Sequence, residues 1–596
     1  MFVVVQAIRL APEVMPEEHA AHSGEEKAPS TLPAPTQALR TGQGEESEDE
    51  LSDRRTVLDV EVAARLGPKE HEYPPISQNE QNEQPELSTG QMIILAMLTT
   101  LAFVMQGSAV IATMVSIRPI STSLNIPAYE VQWLSSSVSV AFACTLLLFG
   151  RLADIWGHKF FFVTGLLLSA VFNLACALAK TKIQLFIFRG MTGWTYACVI
   201  PAALGILGTS FKPGPAKSRA FAAFAAGAPT GFALGLLLSG VTTQFAATSW
   251  RTYFYIATGM CAALAVAAFF TIPGTVLPRR RTPDASFDWV GALLITAGLV
   301  LFTVALANGE GAAKGWKTPY IPALLVIGIL LVTAFFTWEY YMEKQNKQPI
   351  MRISIWRKGR FALLQLVAIT IFGGFVGTIF FCCQYWENYE LRSIGATTLR
   401  FIPLAIVGVI MNMAGSVLVA HVPAQILLLI GISATALSCL LLAIMDVSKI
   451  YWAYQFPAAF LLVWGADLMF LCSILYASKI ASPDEQAQAG SIISTVTQLG
   501  AAVVIAIATI VSDKVQIHES AKIGQPLTNF RYLTALMIPR DVLLKGYRAA
   551  FWTCFAFVSF AGLLTVTGMH GIGYVGAKKT NKPVSASLSH PEAKVN

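Results

Sequence analysis

Asp467 stands in the middle of LLVWGADLMF and Arg189 inside LFIFRGMTGW, two charges lodged in long apolar runs. Where such a run crosses a bilayer, a charge at its centre costs about 2.5 to 3.5 kcal/mol on insertion scales. It therefore needs a partner, a water-lined cavity or a path to the surface. Asp467 has no basic residue beside it. Such a carboxyl can load and release a proton, or it can serve as a structural hydrogen-bonding group between helices. Arg189 lies about two helical turns from Lys182, so it reads either as a guanidinium reaching the surface or as a cavity group. Gln106, Asn412 and Gln498, with Gln365 and Gln384, are further polar groups in apolar runs. Each can line a cavity or make a packing hydrogen bond. Glu339 and Glu343 at one span end, and Glu387 and Glu390 at the opposite end, read as solvated caps.

Apolar helices must hold these residues. Fourteen blocks of about twenty apolar residues run from Gln91 to Val575, the first expected at Met92–Ser116 and the last at Ala549–Met569. Charged residues make up 13% of the chain and mean hydropathy is +0.58, against about a quarter charged in a soluble domain. Through the ninth block, the loops on one side carry Arg151, Lys159, Lys212, Lys217, Arg219, Arg279 to Arg281 and the basic residues from Lys344 to Arg360. The other side carries Arg118, Lys180, Lys182, Arg251, Lys314 and Lys317. This excess puts the first set, and with an even span count both termini, in the cytoplasm. The basic residues sit beside span ends, which excludes nucleic acid as the partner. The nine cysteines all fall in apolar segments without zinc-site or disulfide spacing, and the eight histidines form no HExxH-like cluster. No metal, cofactor or enzyme chemistry is expected.

Two patterns between and within the blocks carry more. GRLADIWGHK, Gly150 to Lys159, places Gly150, Arg151, Asp154, Gly157 and Lys159 in one charged turn. Its carboxylate can bond helix amides or pair with a nearby arginine, a contact that breaks when helix groups rock. In the fifth block, Gly227, Gly231 and Gly235 recur every fourth residue with Pro229 between the first two, which suits close helix packing and a bend.

GRLADIWGHK resembles the loop between the second and third spans of the major facilitator superfamily, G-x-L-a-D-x-x-G-r-k, with His158 in place of the usual basic residue. Arg189 and Gly193 resemble that family's fourth-span R-x-x-x-G, and GAPTGFALGLLLSG resembles its antiporter motif G-x-x-x-G-P-x-x-G-G. Leu236 stands where that motif has proline and Ser239 replaces a glycine. SWRTYFYI, WGADL with SPDEQAQAGSIISTVTQLGAA, and GYRAAFW extend the resemblance over about residues 90 to 575. They are similar to the fourteen-span drug:proton antiporter branch, especially its fungal aminotriazole-resistance-like subgroup. Many of that branch carry an aspartate in the first span, where this chain has Gln106.

The resemblance implies an all-α polytopic membrane protein with the major facilitator fold, two six-helix bundles plus two inserted helices. Residues 1–90 form a disordered cytoplasmic tail, 91–273 the first bundle, 274–345 a linker with the two extra spans, 346–575 the second bundle, and 576–596 a second tail. The implied activity is proton-coupled efflux of a small organic compound, drug or toxin by alternating access. Transport of borate or ammonium, or nutrient sensing without transport, are the alternatives. Arg189, Asp467, Gln106, Gln498 and Asn412 are the expected coupling or cavity residues. A monomer in the plasma membrane, with the vacuolar membrane as alternative, is expected, its partners being lipid, a small-molecule substrate and protons.

Overall fold

The computed structural model describes residues 88–127, 130–211, 215–272, 287–309, 315–345, 347, 349–480, 486–524 and 537–573. The two expected tails, apart from residues 88–90, lie outside the described residues, as do Lys212 and Arg279 to Arg281. Among the described residues every regular element is helical, and fourteen helices are long and apolar enough to cross a membrane. The first six are Thr89–Ile111, Trp133–Trp156, His158–Leu178, Lys182–Ser210, Arg219–Phe245 and Arg251–Thr271. Trp289–Ala307 and Tyr320–Lys344 follow as the seventh and eighth. The last six are Phe361–Tyr389, Ile394–Val419, Ala424–Ala443, Tyr451–Ala477, Gln488–Lys522 and Arg540–Gly568.

Several helices outrun or fall short of their apolar blocks, for local reasons. The first span ends at Ile111, short of the expected Ser116, and a turn leads into a short helix, Ile117–Leu124. Hydroxyls draw that turn sideways: Thr113 Oγ1 donates to the Leu134 carbonyl at 2.9 Å, and Ser116 Oγ lies 3.0 Å from Ser239 Oγ and 2.8 Å from Thr243 Oγ1. The fifth span breaks between Ala225 and Gly227. Pro229 offers no N–H and its ring crowds the carbonyl four residues back, so the helix bends there. The thirteenth span continues past its apolar stretch to Lys522, and the fourteenth starts early at Arg540. There Glu519 binds both Lys522, at 2.7 Å, and Lys545, at 2.5 Å, so two polar helix ends support each other outside the apolar layer.

Of the four carboxylates expected as solvated caps, Glu339 and Glu387 are buried while Glu343 and Glu390 are partly exposed. Glu339 and Glu387 are both 0% exposed. Glu339 accepts the Met351 N–H at 3.3 Å and Glu343 the Ser354 N–H at 3.2 Å, tying the segment before the ninth span to the eighth. Glu390 is 14% exposed and binds Arg400 and Arg392. Burial raises its carboxyl, but bonds from Gln455, Arg392 and Arg400 outweigh burial and hold it below the ordinary carboxylate range. Sequence position marks a helix end but not the chain that folds over it.

Helix contacts follow small residues. Gly227, Gly231 and Gly235 face the first span: a Cβ on Gly227 would stand 2.9 Å from the Thr100 carbonyl oxygen, and one on Gly235 2.8 Å from Ser108 Cα. A Cβ on Gly231 would collide with the Val104 carbonyl. The seventh span is joined to the second by Thr296 Oγ1 donating to the Cys144 carbonyl at 3.0 Å and Gln132 Nε2 to the Ala307 carbonyl at 2.7 Å. The eighth leaves Val326, Ile329 and Leu330 exposed, an apolar face suited to lipid. Overpacking typically costs about 1–3 kcal/mol, so Gly231→Leu should lower the thermal midpoint by several degrees. Gly259→Leu, where a Cβ meets nothing within 4 Å, should leave it unchanged; equal midpoints for both variants would refute the backbone-contact reading.

Candidate functional site

A cavity lies at mid-depth between the first, second and fifth spans on one side and the ninth, tenth, twelfth and thirteenth on the other. Its polar lining is Gln106, Asn412, Asp467, Ser494, Thr497 and Gln498. Its aromatic lining is Phe103, Phe142, Phe232, Phe372, Phe375 and Phe470. Rings from the two sides meet across it: Phe103 lies 6.4 Å from Phe470, and Phe232 lies 6.1 Å from Phe372 and 6.0 Å from Phe375. Among the described residues no Lys, Arg or His lines the cavity. Its free volume of about 70 Å³ is room for about five waters.

Asp467 reaches this cavity because its helix is pressed onto the eleventh span. A Cβ on Gly431 would stand 3.0 Å from Gly465 Cα, and the Gly465 N–H donates to Thr435 Oγ1 at 3.0 Å. Thr435 in turn donates to the Leu462 carbonyl at 3.0 Å. The contact turns the next face of the helix inward. There Asn412 faces the Asp467 carboxyl, and the space beside Gly408 leaves 3.8 Å between Asp467 Oδ2 and a Cβ built on that glycine. Asp467 Oδ2, Gln106 Nε2 and Gln498 Oε1 all lack hydrogen-bond partners among the described residues. Three unsatisfied polar atoms around one cavity are what a polar ligand, or water, would satisfy.

Four of the five expected cavity residues, Gln106, Asn412, Asp467 and Gln498, thus come together, while Arg189 does not line the cavity. Nor does Arg189 reach the surface, being 1% exposed. Its Nη1 donates to the Ala109 carbonyl at 2.7 Å, its Nη2 to the Leu134 carbonyl at 2.6 Å and Thr113 Oγ1 at 2.9 Å, and its Nε to Leu134 at 3.0 Å. One guanidinium so clamps the fourth span to the first and second. Gln365 and Gln384 are also absent from the lining. Ser494, Thr497 and the six phenylalanines were not singled out by sequence. Ser494, Thr497 and Gln498 do carry a signal, a polar face at i, i+3 and i+4 in an apolar helix.

The stretch from Gly150 to Lys159 lies at one end of the molecule, where the second span meets the thirteenth, and it is not the open turn expected, because the second span runs to Trp156 and the third starts at His158, leaving only Gly157 between them. A Cβ on Gly150 would stand 3.5 Å from Ser491 Oγ and 3.6 Å from Pro201. Gly157 turns the chain at φ +103, a conformation L side chains rarely adopt. Asp154 is half exposed and lies 3.9 Å from His158 Nε2, with Arg151 in electrostatic reach. The histidine that departs from the motif thus lies beside its carboxylate, at a distance too long for a hydrogen bond. Lys159 Nζ donates to the Ile272 carbonyl at 2.5 Å, joining the start of the third span to the end of the sixth.

Helices long and apolar enough to cross a membrane, packed around a central cavity, are the architecture of a polytopic membrane transporter. The chain belongs to the Major Facilitator Superfamily, whose family model matches residues 95–505. It is 30% identical to the low affinity ammonium transporter of Saccharomyces cerevisiae, over 65% of this chain and 74% of that protein. It is 24% identical to the aminotriazole resistance protein of the same yeast, over 73% of this chain and 76% of that one. A solved peptide transporter of the POT family in complex with sulfate shares the fold, with a TM-score of 0.57 at 17% identity, covering 84% of this chain and 99% of that one.

Two variants test the clamp and the loop. Arg189→Ala should lose about 1–3 kcal/mol of stability, because buried acceptors are left without donors; an unmodified thermal midpoint would show the guanidinium to be structurally idle. Asp154→Asn should slow turnover while leaving substrate binding intact, and unchanged turnover would reduce the loop to a topological stop.

Proposed function

We propose that this chain is a secondary active transporter that exports a small organic compound, a drug or toxin, in exchange for protons. Residues 91–273 and 346–575 act as two bundles that rock about the central cavity, and residues 274–345 contribute the two inserted spans. The loop from Gly150 to Lys159 faces the cytoplasm with both termini, in the plasma membrane.

The observation that carries the reading is Asp467. Among the described residues it is a carboxyl in a cavity lined by no basic side chain, and one of its oxygens has no partner. Closing protein over an ionised carboxylate costs several kcal/mol unless the charge is neutralised. A proton or a cationic solute at Asp467 lifts that cost, so occupancy of the site biases which face opens. Gln106, Asn412 and Gln498 hold the solute by their amides, against aromatic rings that accept apolar or cationic groups. Arg189 acts at one remove, by fixing the spans that carry Gln106. The resistance named for the aminotriazole relative supports export.

A second reading, passage of a small inorganic solute such as ammonium or borate, is favoured by the small free volume of the cavity and by the ammonium transporter among the relatives.

Proteoliposomes with an imposed proton gradient test the coupling. Aminotriazole, other azoles, ammonium and borate should be offered in turn. Unmodified protein should move its solute at a rate that falls at least tenfold when the gradient is collapsed. Asp467→Asn should lose gradient-driven movement yet fold and insert normally. Gradient-dependent transport that survives in Asp467→Asn removes this carboxyl from the mechanism.

A further inference from the structure

We propose that Glu387 is a gating residue that holds the mouth opposite the Gly150 loop closed, by capping from across the seam the short helix that follows the first span. The inference rests on the alternating-access reading above. It concerns a different part of the molecule from the central cavity.

The short helix Ile117–Leu124 lacks a cap of its own. Ser116, at the N-cap position, makes no side-chain cap bond, because its hydroxyl is engaged with Ser239 and Thr243. First-turn N–H groups of a helix have no acceptor inside it, and they form its positive end. The Arg118 N–H is one of these, and it donates to Glu387 Oε2 at 2.9 Å. The acceptor belongs to the ninth span, in the other half of the molecule. Arg118 also donates through Nη1 to the Glu387 carbonyl at 3.3 Å.

The segment that presents Glu387 is built for this. The ninth span ends in a single π-helical turn, Tyr385–Tyr389, and such turns redirect the side chains that follow a regular helix. Its other residues are held by their own half. Trp386 Nε1 donates to Gln455 Oε1 at 2.7 Å, and Asn388 Nδ2 donates to Gln384 at 3.1 Å and to the Tyr547 hydroxyl at 3.5 Å. Glu387 alone in that turn reaches across in these bonds. Beside it the seam is sealed by the Gly395 N–H donating to Gln244 Oε1 at 3.0 Å, and by Gly240 packed against Thr398.

Glu387 Oε1, meanwhile, is buried and has no partner. The closed mouth gains a helix cap and leaves one carboxyl oxygen dry; the open mouth loses the cap and wets that oxygen. The two terms oppose each other, which keeps the latch reversible.

Full-length protein in lipid nanodiscs, spin-labelled at Thr122→Cys and Lys449→Cys, tests this by pulsed distance measurement. Both sites are exposed at that end, and the nine native cysteines are buried. Glu387→Leu should raise the ratio of long to short separations about fivefold, the usual scale of a lost cap. Glu387→Gln, which keeps an oxygen acceptor, should retain the unmodified distribution. Arg118→Pro removes the N–H donor and leaves Glu387 in place, so it should open the mouth as Glu387→Leu does. An unmodified distribution in Arg118→Pro overturns the proposal, whether or not the leucine variant folds. The readout needs no substrate. Opening without solute movement would therefore count against transport and not the latch, and a failed latch would leave coupling at Asp467 standing.

Discussion

Hydrocarbon offers no hydrogen bonds, and that single constraint weighs on every polar group in these helices. A charge or amide inside the membrane is best placed where it finds its partners within the protein or faces a cavity that can supply them, although Gln365 is buried with neither amide atom paired and lies outside the cavity lining. Arg189 and Asp467 resolve it in opposite ways. The guanidinium makes four hydrogen bonds to two carbonyls and a threonine, and so becomes part of the frame. The carboxylate keeps an oxygen unsatisfied beside an open space. A site that exchanges ligands needs such a vacancy.

The same sorting explains the division of labour along the bundle axis. Near the Gly150 turn the halves touch through small side chains, Gly150 against Ser491. At mid-depth they are separated by the cavity and bridged by phenylalanine rings. At the far end they are joined by hydrogen bonds, Arg118 to Glu387 and Gly395 to Gln244. Contacts of different chemistry at the two ends are what allow one end to part while the other holds.

Much of this was legible in the amino-acid sequence, because bilayer thickness imposes one block length on every span and confines charges to the gaps. The fourteen spans, the bend at Pro229, and four of the cavity residues follow from hydropathy and from polar residues out of place. What hydropathy could not supply was direction. It marked Arg189 as costly without indicating that neighbouring backbones would satisfy it, and it took Glu339 and Glu387 for wet caps because chain that folds over a helix end leaves no trace in a window average. The aromatic lining was hidden for the complementary reason. A phenylalanine facing a cavity and one facing lipid have the same hydropathy, and only packing tells them apart.

The glycine stripe of the fifth span has a mechanical corollary. With Gly227, Gly231 and Gly235 seated on the backbone of the first span, and Ser239 and Thr243 knotted to Ser116 beyond them, the two helices are joined along most of their length. They form one stiff plank. The cavity wall that bears Gln106 and Pro229 therefore travels as a single piece, and access must arise where this plank parts from the helices opposite rather than by slippage within it.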